Sequence, residues 1–306
     1  VIWRMKRKVI LLYKTVYIHV FNILFFVLLF GIIYFLLNYH ISTMTLKSIK
    51  IVGSMQKNMF ECLLNDFKYD LIQFSTDNDI ISMDKSKISK RIDFIKYYKS
   101  DYKDIIVINN KKEILNGYVG DVKEYMYSEH VLEALKGKPS ISDAISIEGK
   151  WYVDFVSPII NGEKQIGIIS LRISLEEISD HLRFENQDGS MEVYIVDKEG
   201  YYLTSGKGNM RKIGENNINI SELKTNIDYA PRTHYRNYDG DNVYGSYYNL
   251  SFGEWTLVVE SLQDRKSLNM ITVISMVIGV FVQFLMNKIL NMSHRFWERY
   301  DKYLLK

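Results

Sequence analysis

The sequence predicts an α+β fold: a long N-terminal helix packed on two tandem antiparallel-sheet modules, flanked by two transmembrane helices. Three observations carry this. Two uncharged apolar runs, each about the 20 residues an α-helix needs to cross hydrocarbon, stand near the two ends of the chain. Between them, apolar residues recur first at the helical period and then at the strand period. The strand-and-turn pattern then occurs twice in succession, a weak internal repeat.

Residues 1–15 form a basic tail with Arg4, Lys6, Arg7, Lys8 and Lys14 and no acid. Transmembrane helix 1 follows at residues 16–37; its apolar run is too long for a secretory signal, and no small-x-small cleavage site follows it. Transmembrane helix 2 spans residues 266–288, around the apolar run Ser267 to Asn287. After it, residues 289–306 carry Arg295, Arg299, Lys302 and Lys306 against Glu298 and Asp301. Lys/Arg-rich tails are expected on the cytoplasmic side, where they meet anionic membrane lipid. The central segment, residues 38–265, is then extracytoplasmic. It holds 28 Lys and Arg against 34 Asp and Glu, a charge of about −6 hidden beneath the overall +3. The basic excess belongs to the tails, so no nucleic-acid partner is expected. Cys62 is the only cysteine, so no intrachain disulfide can form and the exported domain must rely on its core. Low cysteine with abundant Ile, Lys, Asn and Tyr suits an exported bacterial surface protein, and the two spans with their basic flanks put it in the bacterial cell (inner) membrane as a multi-pass protein with its central domain outside.

The central segment begins with a helical region, residues 41–99. Met55, Met59, Cys62, Leu63, Phe67, Leu71 and Phe74 recur at helical spacing and predict one buried stripe, with Cys62 buried and inert within it. Thr76 to Asp79 break the helix, and a second helical piece covers Ser86 to Tyr98. The first sheet module covers residues 100–183. Ile105 to Ile108 form a strand, Asn109 to Lys112 a turn, and Glu113 to Leu115 resume the strand. Tyr127 to Lys136 predict a short helix closed by Gly137. Trp151 to Pro158 and Gln165 to Ile173 are strands joined at Asn161-Gly162. Ser174 opens a helix through Leu182, with Glu176 and Glu177 where the helix dipole favours acid. The second module covers residues 188–264: strands Met191 to Val196, Tyr201 to Thr204, Asn242 to Tyr248 and Trp255 to Ser261. Trp297, Tyr300 and Leu304 begin an amphipathic helix after the second span. Together with Val1 in place of methionine, this reads as a receptor portion whose cytoplasmic output follows Lys306 or lies on a partner.

With these elements in order, the chain resembles a double Cache (dCache) sensor domain of bacterial chemoreceptors, sensor histidine kinases and diguanylate cyclases. The residues that carry the resemblance are Ile106 to Leu115 (IVINNKKEIL), Val131 to Lys138 (VLEALKGK), Val156 to Leu175 (VSPIINGEKQIGIISLRISL), Tyr194 to Leu203 (YIVDKEGYYL) and Gly253 to Glu260 (GEWTLVVE). The resemblance implies two PAS-like modules along the long helix, a small extracellular molecule bound in the first (distal) module, and a homodimer. It implies signal transfer across the membrane, no catalysis within the chain and no cofactor. Amino-acid-binding members of the family carry a pattern of the type R-x-W-Y-x-x-A. Here the matching positions are Ser128, His130, Val131 and Ala134, so Arg, Trp and Tyr are all missing. The strand position where those members hold the ligand amine with an aspartate is Arg172. The departure points to an anionic ligand.

The candidate ligand-binding residues are Arg172, Trp151, Tyr152, Asp154, Ser170, Tyr118 and His130. Strict alternation puts Ile168, Ser170 and Arg172 on one strand face and Ile169, Leu171 and Ile173 on the better core face. A guanidinium beside a pocket binds a carboxylate with two parallel hydrogen bonds; the competing reading pairs Arg172 with Asp154 or Glu176. Trp151, Tyr152 and Asp154 open a strand of the same sheet and offer aromatic walls with one polar group. Tyr118, Glu129 and His130 fall where the family lids its pocket. The six histidines show no metal-binding spacing, and no P-loop, dinucleotide fingerprint or G-x-S-x-G elbow occurs; Gly206-Lys207-Gly208 is a bare glycine pair. Against the sensor reading stands a two-span anchored structural or interaction protein without a small ligand.

Overall fold

A computed structural model describes the chain except for residues 1, 100, 183–190, 206–211, 216–231, 238–239, 252, 263–264 and 305–306. The chain divides into two compact units, Val1–Met44 with Asp264–Lys306, and Thr45–Gln263.

The first unit is built from the beginning of helix α1 (Ile2–Ser75) and from helix α7 (Arg265–Leu304). Each holds a segment long and apolar enough to cross a membrane, with mean hydropathy 2.8 in α1 and 2.0 at Met270–Ile289. Gly279 of α7 packs directly against the Phe30 ring, where a Cβ would collide with it. A small residue at such a contact lets two spanning helices approach closely. The Ser275 hydroxyl donates to the Ile271 carbonyl at 2.8 Å, so its polar group is satisfied within the helix.

In the second unit α1 buries Ile49, Phe60, Leu64, Phe67, Leu71 and Phe74. At 100° per residue these share one stripe, and Met55, Met59 and Cys62 lie on the far side. Cys62 is exposed, contrary to the sequence expectation, and Met55 and Met59 are exposed with it. Periodicity had correctly marked a helix with an apolar stripe, but α1 carries two apolar stripes and only packing selects one. The helix stops at Ser75. Asp77 accepts the Asp79 amide (3.0 Å) to start α2 (Asn78–Ile81), and Asp84 accepts the Ser86 and Lys87 amides (2.9 and 3.1 Å) to start α3 (Lys85–Tyr98). Ile88, Ile92 and Ile95 anchor α3 to the core.

The first sheet contains β1 (Tyr102–Asn109), β2 (Ile114–Asn116), β3 (Ser140–Ile141), β4 (Ile145–Ile147), β5 (Lys150–Asn161) and β6 (Lys164–Ser174). Its order is β2-β1-β6-β5-β3, with β4 also paired to β5. Helices α4 (Val122–Tyr127) and α5 (Glu129–Leu135) lie between β2 and β3 in the chain, and α6 (Leu175–Leu182) follows β6. The second sheet, of order β7-β10-β9-β8, contains β7 (Met191–Val196), β8 (Arg232–Arg236), β9 (Asn242–Asn249) and β10 (Thr256–Leu262). The paired strands are antiparallel in both sheets. The α+β class with a long helix and two sheet modules is therefore borne out.

One face of each sheet joins a single core with the α1 stripe: Val107, Phe155, Leu171 and Ile173 from the first, Ile195, Leu257 and Val259 from the second. Phe67 meets the rings of Phe155 and Tyr102 edge-on at 5.6 and 6.0 Å. The opposite face of the first sheet carries a smaller cluster. There Ile106, Ile108, Val156 and Ile168 pack under Tyr125, Met126, Val131 and Ala134 of α4 and α5.

Three local expectations change. The Tyr127–Lys136 helix is two helices with a break at Ser128, which is extended at φ −66°, ψ 147°. Tyr201 to Thr204 make no strand of the second sheet beyond an isolated bridge from Tyr202 to Val196. The Leu203 amide still donates to the Ile195 carbonyl of β7 at 2.9 Å, while on its other side the Tyr202 amide donates to the Glu215 carbonyl and the Gly214 amide to the Tyr202 carbonyl. Strand β8 carries no period-2 apolar pattern and was not foreseen. Gly206-Lys207-Gly208 and the side chains of Trp297, Tyr300 and Leu304 lie outside the described residues.

Candidate functional site

The site grows from the register of β5 on β6. Asp154 stands directly opposite Arg172, and β1 places Asp104 opposite Arg172 on the other side. All three lie on the face turned away from the α1 core. Arg172 donates from Nε to Asp154 Oδ1 (2.8 Å), from Nη2 to Asp154 Oδ2 (2.7 Å) and from Nη1 to the Tyr118 carbonyl (2.6 Å). Both charged groups are almost fully out of solvent. Burial alone would pull the guanidinium pKa down, but the hydrogen bonds and charge of Asp154 outweigh it and hold it above its usual value. The Arg172 charge is thus already matched within the protein. Asp104 accepts the Tyr118 amide at 2.7 Å and Lys96 Nζ at 3.4 Å. The segment around Tyr118 is therefore pinned by Arg172 and Asp104 together. Gly117, at φ +91°, sits over Ile106 where a side chain would not fit.

Deeper under α4 and α5 lies a buried polar group of Tyr125, His130 and Ser170. The Tyr125 and His130 rings meet edge-on at 5.5 Å, and the Arg172 guanidinium lies 5.6 Å from the Tyr125 ring centre. Ser128 Oγ is 3.3 Å from His130 Nε2, and the Ser140 hydroxyl donates to the His130 carbonyl at 2.6 Å. The hydroxyls of Tyr125 and Ser170 are buried near each other and near Asp154, without a well-aligned hydrogen bond among the described residues. Such groups are costly unless something polar reaches them. Burial, reinforced by the Asp154 charge, pushes the Tyr125 hydroxyl up. Burial lowers His130, and the Arg172 charge lowers it further against the pull of Asp154.

Beside the ion pair a cleft of about 260 Å³ opens to solvent. Arg172, Tyr152 and Ile147 line it together with the exposed Tyr118. Lys103, Lys150, Asp104 and Glu148 bring charge to its rim. Lys103 and Lys150 are exposed, and among the described residues neither has an ion-pair partner.

Of the residues singled out from the sequence, Arg172, Tyr118 and Tyr152 line the cleft. Asp154 lies behind Arg172 as its partner. Ser170 is buried beneath α4 and α5, and His130, on α5, is only 7% exposed. Trp151 is not at the cleft: its ring packs over Gly214, whose φ of +82° and missing side chain make room for it. Alternation sends Trp151 and Tyr152 to opposite faces, and that same alternation could have flagged Lys150 as the neighbour of Tyr152. Lys103 had no such signal, because a register shift between Tyr102 and Asp104 sets its direction. Tyr125 was missed with α4.

A sequence profile described as a Cache domain matches residues 42–268. No curated protein sequence matches the chain. Among solved structures, the chain resembles the ligand-binding domain of the Campylobacter jejuni chemoreceptor Tlp3 in complex with L-valine. That match has a TM-score of 0.56 at 12% identity and covers 76% of this chain and 97% of the other. The ligand-binding domain of Pseudomonas fluorescens chemoreceptor CtaA, in complex with L-serine, matches with a TM-score of 0.54 at 11% identity, over 75% and 98%. An extracellular domain assigned to a histidine kinase, mmHK1S-Z2, matches with a TM-score of 0.54 at 15% identity, over 74% and 97%. At these identities the likeness is one of fold.

Proposed function

Since this chain belongs to the Cache-domain family across residues 42–268, we propose that it is the sensor portion of a membrane-bound receptor that takes a small extracellular molecule at its first sheet module. The carrying observation is the cleft beside the buried Arg172–Asp154 pair, walled by Tyr118 and Tyr152. Concave sites with aromatic walls and a few convergent polar groups suit small molecules. Arg172 is occupied by Asp154, so the cations left to meet a ligand are Lys103 and Lys150. The preferred ligand carries a carboxylate or another small anionic group placed between these two ammonium groups. Glu148 on the same rim tolerates an amine elsewhere in the molecule.

Binding acts on the receptor by favouring one arrangement of α1 and of the lid helices over another. A ligand shifts such an equilibrium only by its differential affinity, with coupling of about 1–3 kcal/mol as a usual size. The basic tails support a topology with both tails inside the cell and the sensor outside. Ile51, Met55 and Met59, exposed along α1 on the side away from the core, are the contact face for a second copy.

The test is a thermal-shift screen of the segment 45–263 against small carboxylates, amines and neutral metabolites. The reading expects at least one carboxylate to raise the unfolding temperature. Hits among amines alone would reverse the polarity, and a flat response across the panel would favour the anchored interaction protein.

A further inference from the structure

We infer that the outward face of α3 is a docking surface for an acidic extracytoplasmic protein that presents apolar side chains. Helix α3 buries Ile88, Ile92 and Ile95 against the core, which turns Lys87, Lys90, Asp93, Phe94 and Tyr97 outward at helical spacing, with Arg91 and Tyr98 on the flank. Three aromatic rings in a row then lie in solvent: Phe94 is 54%, Tyr97 81% and Tyr98 69% exposed. They touch one another, Phe94 and Tyr98 at 4.8 Å and Tyr97 and Tyr98 at 5.0 Å between ring centres. The Arg91 guanidinium sits 5.4 Å over the Phe94 ring and is fixed by Asp77 at 2.7 Å, which orders that end of the cluster. Contiguous exposed aromatics of this kind mark interaction sites, and Tyr with Arg dominates the energetic centres of protein interfaces.

Charge selects the partner. Of the six Lys and Arg in residues 85–99, Arg91, Lys96 and Lys99 pair with Asp77, Asp104 and Asp70, which leaves Lys85, Lys87 and Lys90 against Asp93 inside a central segment whose own balance is about −6. Lys87 and Lys90 are exposed and, among the described residues, have no ion-pair partner. A second copy docking symmetrically through α3 would set these lysines against themselves, so like-charge repulsion disfavours it. The ring planes stand at 84° and 54° to one another. They form a corner that receives a side-chain knob rather than a flat platform for a sugar ring. An acidic surface with apolar knobs satisfies both the corner and the lysines.

The full chain in zwitterionic-lipid nanodiscs tests this with three polymers: poly(Glu,Tyr), polyglutamate and polygalacturonate. Because the terminal tails are also basic, the readout is the part of binding lost in variants of α3. Poly(Glu,Tyr) should bind at least about tenfold tighter than the other two, and Tyr97→Ser with Tyr98→Ser should remove that advantage. Lys87→Glu with Lys90→Glu should weaken poly(Glu,Tyr) by about tenfold or more, and Lys87→Gln by less, at unchanged unfolding temperature. Parental affinity in both double variants overturns the proposal. Polygalacturonate binding as tightly as poly(Glu,Tyr) overturns it in favour of an anionic glycan.

Discussion

Arg172 grips Asp154 through both nitrogens of one edge of its guanidinium, at 2.8 and 2.7 Å, with the two side chains 3% and 0% exposed. The aligned register of β5 and β6 puts the pair face to face, and the Tyr125 ring and the Tyr118 carbonyl close over Arg172. Breaking a buried pair by deleting one partner leaves a charge with no counterpart, a loss of about 3–5 kcal/mol. Asp154→Ala and Arg172→Ala should each destabilise the segment 45–263 by that order in urea unfolding. Asp154→Leu with Arg172→Met should cost far less than the two single losses together, because no lone charge remains. Parental stability in Arg172→Ala would show that the guanidinium is not a structural group and would return it to the ligand.

His130 gives the fold a pH dependence of known sign. Burial, with Arg172 nearby, lowers its pKa in the folded chain, while in the unfolded chain it titrates near 6.5; Asp154, Asp143 and Glu129 pull the other way and only reduce the shift. As pH falls below about 6.5 the unfolded state takes up a proton first, so this contribution to stability is complete above that pH and declines below it. Urea unfolding at pH 7.5 and 5.5 should show a larger loss on acidification for the parent than for His130→Gln. Equal losses would remove His130 from the account.

Lys103 and Lys150 reach the cleft from exposed positions, so removing them should not unfold the chain. Charge-assisted hydrogen bonds contribute about 1.5–3 kcal/mol when desolvated and less at an open rim. Lys103→Ala and Lys150→Ala should therefore each weaken a carboxylate ligand by roughly tenfold in calorimetry. Unchanged affinity in both would place the ligand elsewhere.

Cys62 is the only cysteine, and it is exposed on the side of α1 that bears Met55 and Met59. A membrane-impermeant maleimide should label it on intact cells, with no label on Cys62→Ser. Labelling that appears only after permeabilisation would invert the orientation drawn from the basic tails. Mild oxidation should also yield a Cys62-linked dimer if two copies meet along this face; the absence of one at native expression would argue against that contact.

The amino-acid sequence by itself determined the two apolar spans, the long helix, the β5–β6 hairpin and which face of β6 joins the core. Each depends on composition or on a period of 2 or 3.6 read over neighbouring residues. It also placed Arg172 opposite the core face. Tertiary structure alone decided what that face does. The sequence left Arg172 open between a ligand and a pairing with Asp154 or Glu176; the register of β5 on β6 sets it against Asp154, closes it into a buried ion pair and leaves Lys103 and Lys150 as the exposed cations at the cleft. Tertiary packing likewise chose the Phe60, Leu64, Phe67 stripe of α1 over the Met55, Met59, Cys62 stripe, and seated Trp151 on Gly214. Local periodicity states which side chains share a face; what covers that face is set by contacts between residues remote in sequence, whose energies no local pattern carries.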